Sequence, residues 1–162
     1  DPVIFLEHKR TYRMVKGEVP ESEYTVPLGA ADVKREGADV SVITYGLMVH
    51  HCMEAANELA GEGIDAEVVD LRTVRPLDNE TMLGSVEKTG KALIVHEDNK
   101  AGGIGAEVAA IISEEAFDHL DGPVTRLAGP EVPAMPFSPP LEDMFMLNSA
   151  KIADAVRRLA HY

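Results

Sequence analysis

From residue 38 onward the chain alternates two kinds of apolar pattern. VSVITY, residues 40–45, is a β-branched, apolar run ended by Gly46, and it predicts a strand. Met48, Cys52, Ala55, Ala56 and Leu59 then recur at i, i+4, i+7, i+8 and i+11, which is one face of a helix over 47–60, and Gly61 and Gly63 stop it. AEVVDL, 66–71, predicts a second strand. Asp78 is placed to cap a helix carrying Met82, Leu83 and Val86 on one face, closed by Gly90. ALIV, 92–95, is continuously apolar, as a strand covered on both faces would be. Ile104, Val108, Ile111 and Ile112 mark a third helix that has turned polar by Glu115. PVTRLAG, 123–129, predicts a fourth strand. The Pro-rich PEVPAMPFSPP crosses to a last helix, capped by Asn148 or Ser149 and lined by Ile152, Ala153, Val156 and Leu159.

This alternation predicts an α/β fold: a three-layer sandwich with a mostly parallel sheet and helices on both faces, since crossovers between parallel strands are right-handed. VIFL, 3–6, has strand character. Residues 10–37 are punctuated by Gly17, Pro20, Pro27, Gly29 and Gly37, and read as a linker or irregular arm. The expected division is therefore 1–37, the end of a preceding domain plus an arm, and 38–162, the α/β domain. The start, DPVIFLEHKR, has neither an initiator Met nor a basic region before its apolar run. It reads as a cut inside a longer protein and not as a secretory signal.

Composition narrows the function classes. With 45% apolar and 27% charged residues the chain is an ordinary globular sequence. Its apolar runs are too short to span a bilayer, so no membrane role is expected. The net charge of −13 would repel a phosphate backbone, which argues against nucleic acid and allows a basic protein partner. The single Cys52 excludes an internal disulfide and fits a reducing cytoplasm.

The stretch HEDNKAGGIGAE, 96–107, carries the most chemistry. Gly103-Ile104-Gly105 supplies only the first half of a dinucleotide fingerprint, Val108 stands where the third small residue belongs, and six residues separate the glycines from the strand. No Walker-type phosphate loop and no G-x-S-x-G elbow occur. His96, at the carboxyl end of a buried strand, is a candidate acid–base residue, with Glu97 and Asp98 to orient or tune it. The alternative is a packing loop, its acids capping the next helix and its glycines allowing close approach. A third reading makes the glycine turn at the helix N-terminus an anion site of a stand-alone α/β small-ligand module or enzyme. His50-His51-Cys52 is no metal site, because consecutive helical residues diverge.

The order of motifs carries a resemblance. PVIFLEHKRTYR, VSVITYG, AEVVDLRTVRPLD, ALIVHEDNKAGGIGAEVAA and PEVPAMPFSPPLE follow one another here. Together they resemble the C-terminal, transketolase C-terminal-type domain of the beta subunit of the thiamine-dependent decarboxylating component of 2-oxo acid dehydrogenase complexes. The similarity covers essentially the whole chain, and PAMPFSPPLE leans toward bacterial branched-chain members over pyruvate ones.

That resemblance implies an oxidative decarboxylase that passes an acyl group to a lipoyl arm. Thiamine diphosphate and magnesium would belong to the parent assembly and none to this chain, since the alpha subunit holds the diphosphate and the activating glutamate lies in the beta subunit's other half. No residue here is given a catalytic, cofactor or metal role, and the isolated chain is expected to be inactive. Its expected work is assembly with an alpha subunit and a second beta subunit into a heterotetramer, and docking of the small basic peripheral subunit-binding domain of the acyltransferase core. His96, Glu97, Asp98, Asn99, Gly102, Gly103, Gly105 and Glu107 would form an interface or packing loop in which His96, Glu97 and Asp98 satisfy one another and backbone donors near the sheet edge. Asp118, Asp121, Glu142 and Asp143 would contribute to the docking surface.

Overall fold

A computed structural model describes Pro2 and residues 4–162. The elements in chain order are α1 (Thr11–Met14), β1 (Asp32–Arg35), β2 (Val40–Thr44), α2 (Met48–Ala60), β3 (Ala66–Asp70), α3 (Asn79–Thr89), β4 (Ala92–Asn99) and α4 (Ile104–Glu115). After a short 3-10 turn (Phe117–His119) come β5 (Thr125–Gly129), α5 (Pro139–Phe145) and α6 (Ser149–Ala160).

The five strands form one sheet in the order β1-β3-β2-β4-β5. β2, β3, β4 and β5 run parallel, and β1 is antiparallel to β3 at the edge. Side-chain alternation sorts the core into two layers. Val40, Val42, Val68, Leu93 and Val95 pack on α2 and α6, while Ile43, Val69 and Ile94 pack on α3 and α4. The three-layer expectation is met.

Local chemistry explains the helix boundaries. The Asp78 side chain accepts from the N–H of Thr81 at 3.1 Å and starts α3, and Gly90 at φ 69° ends it in the left-handed region. Asn148 accepts from the N–H of Lys151 at 2.9 Å and starts α6. The predicted face of α2 is buried whole, with Val49 added.

Two polar clusters are satisfied inside the sandwich. Ser41 Oγ lies 2.6 Å from Ser85 Oγ and 2.7 Å from Thr89 Oγ1, tying β2 to α3. Glu67, 1% exposed, pairs with Lys88 and accepts from the N–H of Gly37 at 3.3 Å.

Three expectations need correction. Residues 4–6 of VIFL form no strand and are highly exposed, and Val3 lies outside the described residues. Within the segment read as an irregular arm, Asp32–Arg35 is a strand, because β3 offers it a free edge with Asp32 opposite Asp70 and Val33 opposite Val69. DVKR is too short and too charged to have announced this by periodicity. The Pro-rich connection also contains α5, started by Pro139 and Pro140 within its first turn, where a missing N–H costs nothing.

Candidate functional site

In this strand order, the chain after β2 turns to one side of the sheet and the chain after β3 crosses to the other. The crevice at the carboxyl ends of β2 and β4 is therefore the switch point where α/β sheets place sites. HEDNKAGGIGAE lies there, and its first four residues are strand. β4 runs on past ALIV through His96, Glu97, Asp98 and Asn99. The pairing slips between His96 and Asn99, so that His96 faces Ala128 and Asn99 faces Gly129. Gly129 permits this bulge, since a Cβ there would stand 2.6 Å from the Glu97 carbonyl oxygen. The N–H of Lys100 closes the pairing on the Gly129 carbonyl at 3.2 Å.

The bulge separates the three polar side chains that the sequence suggested would satisfy one another. His96 points into the α4 layer and is fully buried. Neither ring nitrogen finds a hydrogen-bond partner among the described residues. Glu97 turns outward to pair with His8 of the arm at 3.1 Å. Asp98 Oδ1 accepts from the N–H of Asn99 at 2.7 Å. Asp98 thus meets a backbone donor, as expected, but the three side chains do not pair with one another. The acids do not cap α4 either: its N-cap is Gly103, with no side-chain bond.

Glycines shape the turn from β4 into α4. Gly102, at φ 76°, reverses the chain. The His96 ring fills the space beneath Gly103 and Gly105: a Cβ on Gly103 would stand 2.8 Å from Cε1, and one on Gly105 would overlap Nε2. Tyr45, just past β2, stacks on the same ring with centroids 6.5 Å apart. Glu107 lies in the first turn of α4, where its charge complements the helix dipole.

Burial lowers the pKa of His96, and the positive charge of Arg126 adds to this, against the attraction of Asp98. Burial also raises the Tyr45 hydroxyl, with the carboxylates of Asp98 and Glu97 acting in the same sense. The Cys52 thiol, buried on α2, is pushed up to about 12 by desolvation, which makes it an inert core residue and not a nucleophile. An imidazole with no exposed surface offers no general base to a substrate in this conformation. Among the described residues no group of three His, Cys, Asp or Glu side chains is placed to hold a metal ion, and no helix is long and apolar enough to cross a membrane.

A small cleft of about 310 Å³ lies in this crevice, lined by Leu6, His8, Tyr45, Gly46, Glu97 and Asp98 among others. A larger groove of about 1060 Å³ lies between the 74–77 loop and the start of α4, lined by Val74, Arg75, Pro76, Asn79, Ile104 and Glu107 among others. No motif or period along the chain announced the larger groove, because it depends on how α3 and α4 diverge at this end of the sheet.

The four acids chosen for docking do not converge. The N–H of Asp121 bonds the Gly90 carbonyl at 2.7 Å, which puts Asp118 and Asp121 at the amino end of the sheet. Glu142 and Asp143 lie on α5, held at the opposite end where Lys151 Nζ, in the first turn of α6, reaches the Asp143 carbonyl at 3.1 Å. Periodicity could not have located the exposed apolar surface. Ile4, Phe5, Leu6 and Leu28 of the arm are each at least 80% exposed, and Phe137 is 98% exposed. Large apolar side chains left this exposed are candidates for surface that another chain covers.

Comparison with known proteins agrees with this architecture. The 2-oxoisovalerate dehydrogenase subunit beta of Bacillus subtilis is 57% identical over all 162 residues, and the pyruvate dehydrogenase E1 component subunit beta of the same organism is 51% identical. The chain spans about half the length of these curated relatives: 50% and 49%. Among solved structures, a split-gene transketolase in an inactive beta4 tetramer superposes with a TM-score of 0.73 at 29% identity, covering 90% of this chain and 46% of that one. The family described as transketolase, C-terminal domain, matches residues 29–152. With its five-stranded, mostly parallel sheet and helices on both faces, the chain belongs to the transketolase C-terminal domain family.

Proposed function

We propose that this chain is the C-terminal part of the beta subunit of a 2-oxo acid dehydrogenase, of the branched-chain type, and that it serves assembly and docking. The observation that carries this is the 57% identity, along the whole chain, with a 2-oxoisovalerate dehydrogenase beta subunit of about twice its length. The exposed apolar arm and Phe137 supply surface for an alpha subunit and a second beta subunit, in a heterotetramer of the soluble cytoplasm. On this reading residues 1–37 are the end of a preceding aminopyrimidine domain plus an arm and 38–162 the C-terminal domain; the family match from residue 29 would extend that domain to include β1.

Thiamine diphosphate and magnesium belong to the parent assembly on this reading. This chain's own residues do not fit them. The described residues supply no carboxylate cluster for the metal, and Glu107 sets a negative charge in the first turn that a diphosphate would have to face. The same charge weighs against a stand-alone anion site. The interface reading of His96, Glu97, Asp98, Asn99, Gly102, Gly103, Gly105 and Glu107 keeps two parts: Glu97 anchors the arm, and the glycines seal His96. Docking of the basic subunit-binding domain of the acyltransferase falls to one acidic end of the sheet, either Asp118 with Asp121 or Glu142 with Asp143.

The test uses the parent reading frame, coexpressed with its alpha subunit and assayed for thiamine diphosphate-dependent turnover of 2-oxoisovalerate. Turnover by the assembly, with none from the 162-residue chain alone, is the expected result. Turnover by the isolated chain, or a parent frame lacking a further domain, would overturn the proposal.

A further inference from the structure

The strongest unexplained group in the molecule is the His96 imidazole, a fully buried, titratable side chain without a hydrogen-bond partner among the described residues. We propose that His96 is a proton-operated latch: segment 97–103 and the first turn of α4 stay closed over the carboxyl edge of the sheet only while its ring is uncharged.

The geometry has three parts. The backbone of Gly103 and Gly105 lies directly against the ring on the α4 side, and the Tyr45 ring stacks on it from the end of β2. Solvent therefore reaches it only when this cover moves. The sealing element is also weakly held. It enters α4 through a left-handed Gly102 and an N-cap without a side-chain bond, and its preceding strand is bulged. Neither ring nitrogen makes a hydrogen bond among the described residues, so a protonated ring would carry two buried N–H donors without partners in the closed form, which is costly.

The charges around the ring come from every neighbouring element. From β4 itself come Glu97, already engaged by His8 of the arm at 3.1 Å, and Asp98. From β5 comes Arg126, whose guanidinium bonds the Lys100 carbonyl at 2.7 Å and whose charge opposes protonation. The end of β2 contributes the hydroxyl of Tyr45, the turn contributes Lys100, and α4 contributes Glu107 and the partial positive charge of its N-terminus. Asp98, whose Oδ1 accepts from the N–H of Asn99 at 2.7 Å, already attracts a charge on the ring, and opening would let its carboxylate meet the imidazolium.

The lowered folded-state pKa sets the sign. The closed form is fully favoured above the ordinary imidazole value, and the open form, which binds one more proton, gains as pH falls below it. The opening equilibrium should rise about tenfold for each pH unit below the ordinary value of roughly 6.5, until the folded-state value is reached.

Hydrogen exchange of the 162-residue chain, corrected for intrinsic rates and read by peptide from about pH 8 to about pH 5.5, tests this. Protection over 97–107 should fall about tenfold across the range. Protection over 40–44 should hold, and His96→Gln should remove the pH dependence. Equal loss of protection everywhere, or a dependence that survives in H96Q, would overturn the latch. If H96Q folds poorly, the imidazole shift of His96 in the unsubstituted chain decides. A midpoint at or above the ordinary value ends the proposal, and a midpoint well below it, moving together with the amides of 99–106, supports it.

Discussion

The imidazole of His96 occupies the space that a side chain at Gly105 would need. One is the last fully buried residue of β4 and the other lies one residue into α4, so strand and helix are locked at the turn that joins them. Gly105→Ala should therefore destabilise the chain by about 1–3 kcal/mol through overpacking, although alanine is the better helix former. Urea unfolding measures it. The double variant with His96→Ala should recover part of the loss, and additive losses would mean the two residues do not share that space.

Glu67 and Lys88 make a second coupled pair, the carboxylate buried and the ammonium side chain 42% exposed. Lys88→Ala leaves a buried carboxylate with the Gly37 N–H as its remaining partner. A fully buried pair broken this way costs about 3–5 kcal/mol. The exposure of Lys88 reduces the expected loss to about 2 kcal/mol, since solvent already screens the pair. The midpoint of denaturant unfolding at neutral pH reads it.

Asp78 joins two elements, capping α3 and accepting from the N–H of Ala31 at 2.8 Å just before β1. Burial pushes its carboxyl up, but the N–H groups of Thr81 and Ala31 prevail and hold it below the usual carboxylate range. A depressed carboxylate contributes stability that is present above its unfolded value, near about 3.9, and lost as pH falls through the folded one. Asp78→Asn should thus cost about 1 kcal/mol at neutral pH and little at the lowest pH at which the chain still folds. Thermal unfolding of both proteins from about pH 7 to about pH 3 should show the curves converging.

The separation of the acidic pairs gives a direct test of docking. Binding of the basic subunit-binding domain to the parent assembly should weaken with added salt. Charge reversal at one end, either Asp118→Lys with Asp121→Lys or Glu142→Lys with Asp143→Lys, should abolish most of that dependence while the other pair leaves it intact. Equal small effects from both pairs, or affinity unchanged by salt, would remove charge as the basis of docking.

Phe137 is 98% exposed, so Phe137→Ser should change the chain's own stability by less than about 0.5 kcal/mol. The same change should weaken assembly of the parent with its subunits, read as a shift in sedimentation with dilution. Unchanged assembly would show that this side chain stays in solvent.

Local rules were enough to locate β2 to β5 and α2, α3, α4 and α6, though not α5, together with the cap at Asp78, the start of α6 at Asn148 or Ser149 and the buried faces of α2 and α6. Those rules are apolar period, a side-chain oxygen at a helix start and a glycine at its end, and each is complete within a few neighbouring residues. The family was legible too, through DLRTVRPLD followed by HEDNKAGGIGAE in that order. Packing between distant segments settled the rest. DVKR became β1 because β3 left an edge open, and residues 4–6 found no strand to pair with among the described residues. The loop beginning at His96 became strand and bulge because Gly129, on another strand, leaves room for the Glu97 carbonyl. His96 went inward without a partner and Glu97 outward to His8, a division that adjacency in sequence could not announce. Periodicity records which way a side chain faces on its own element. What meets it there is set by residues distant in the chain, through close packing that tolerates no side chain at Gly105.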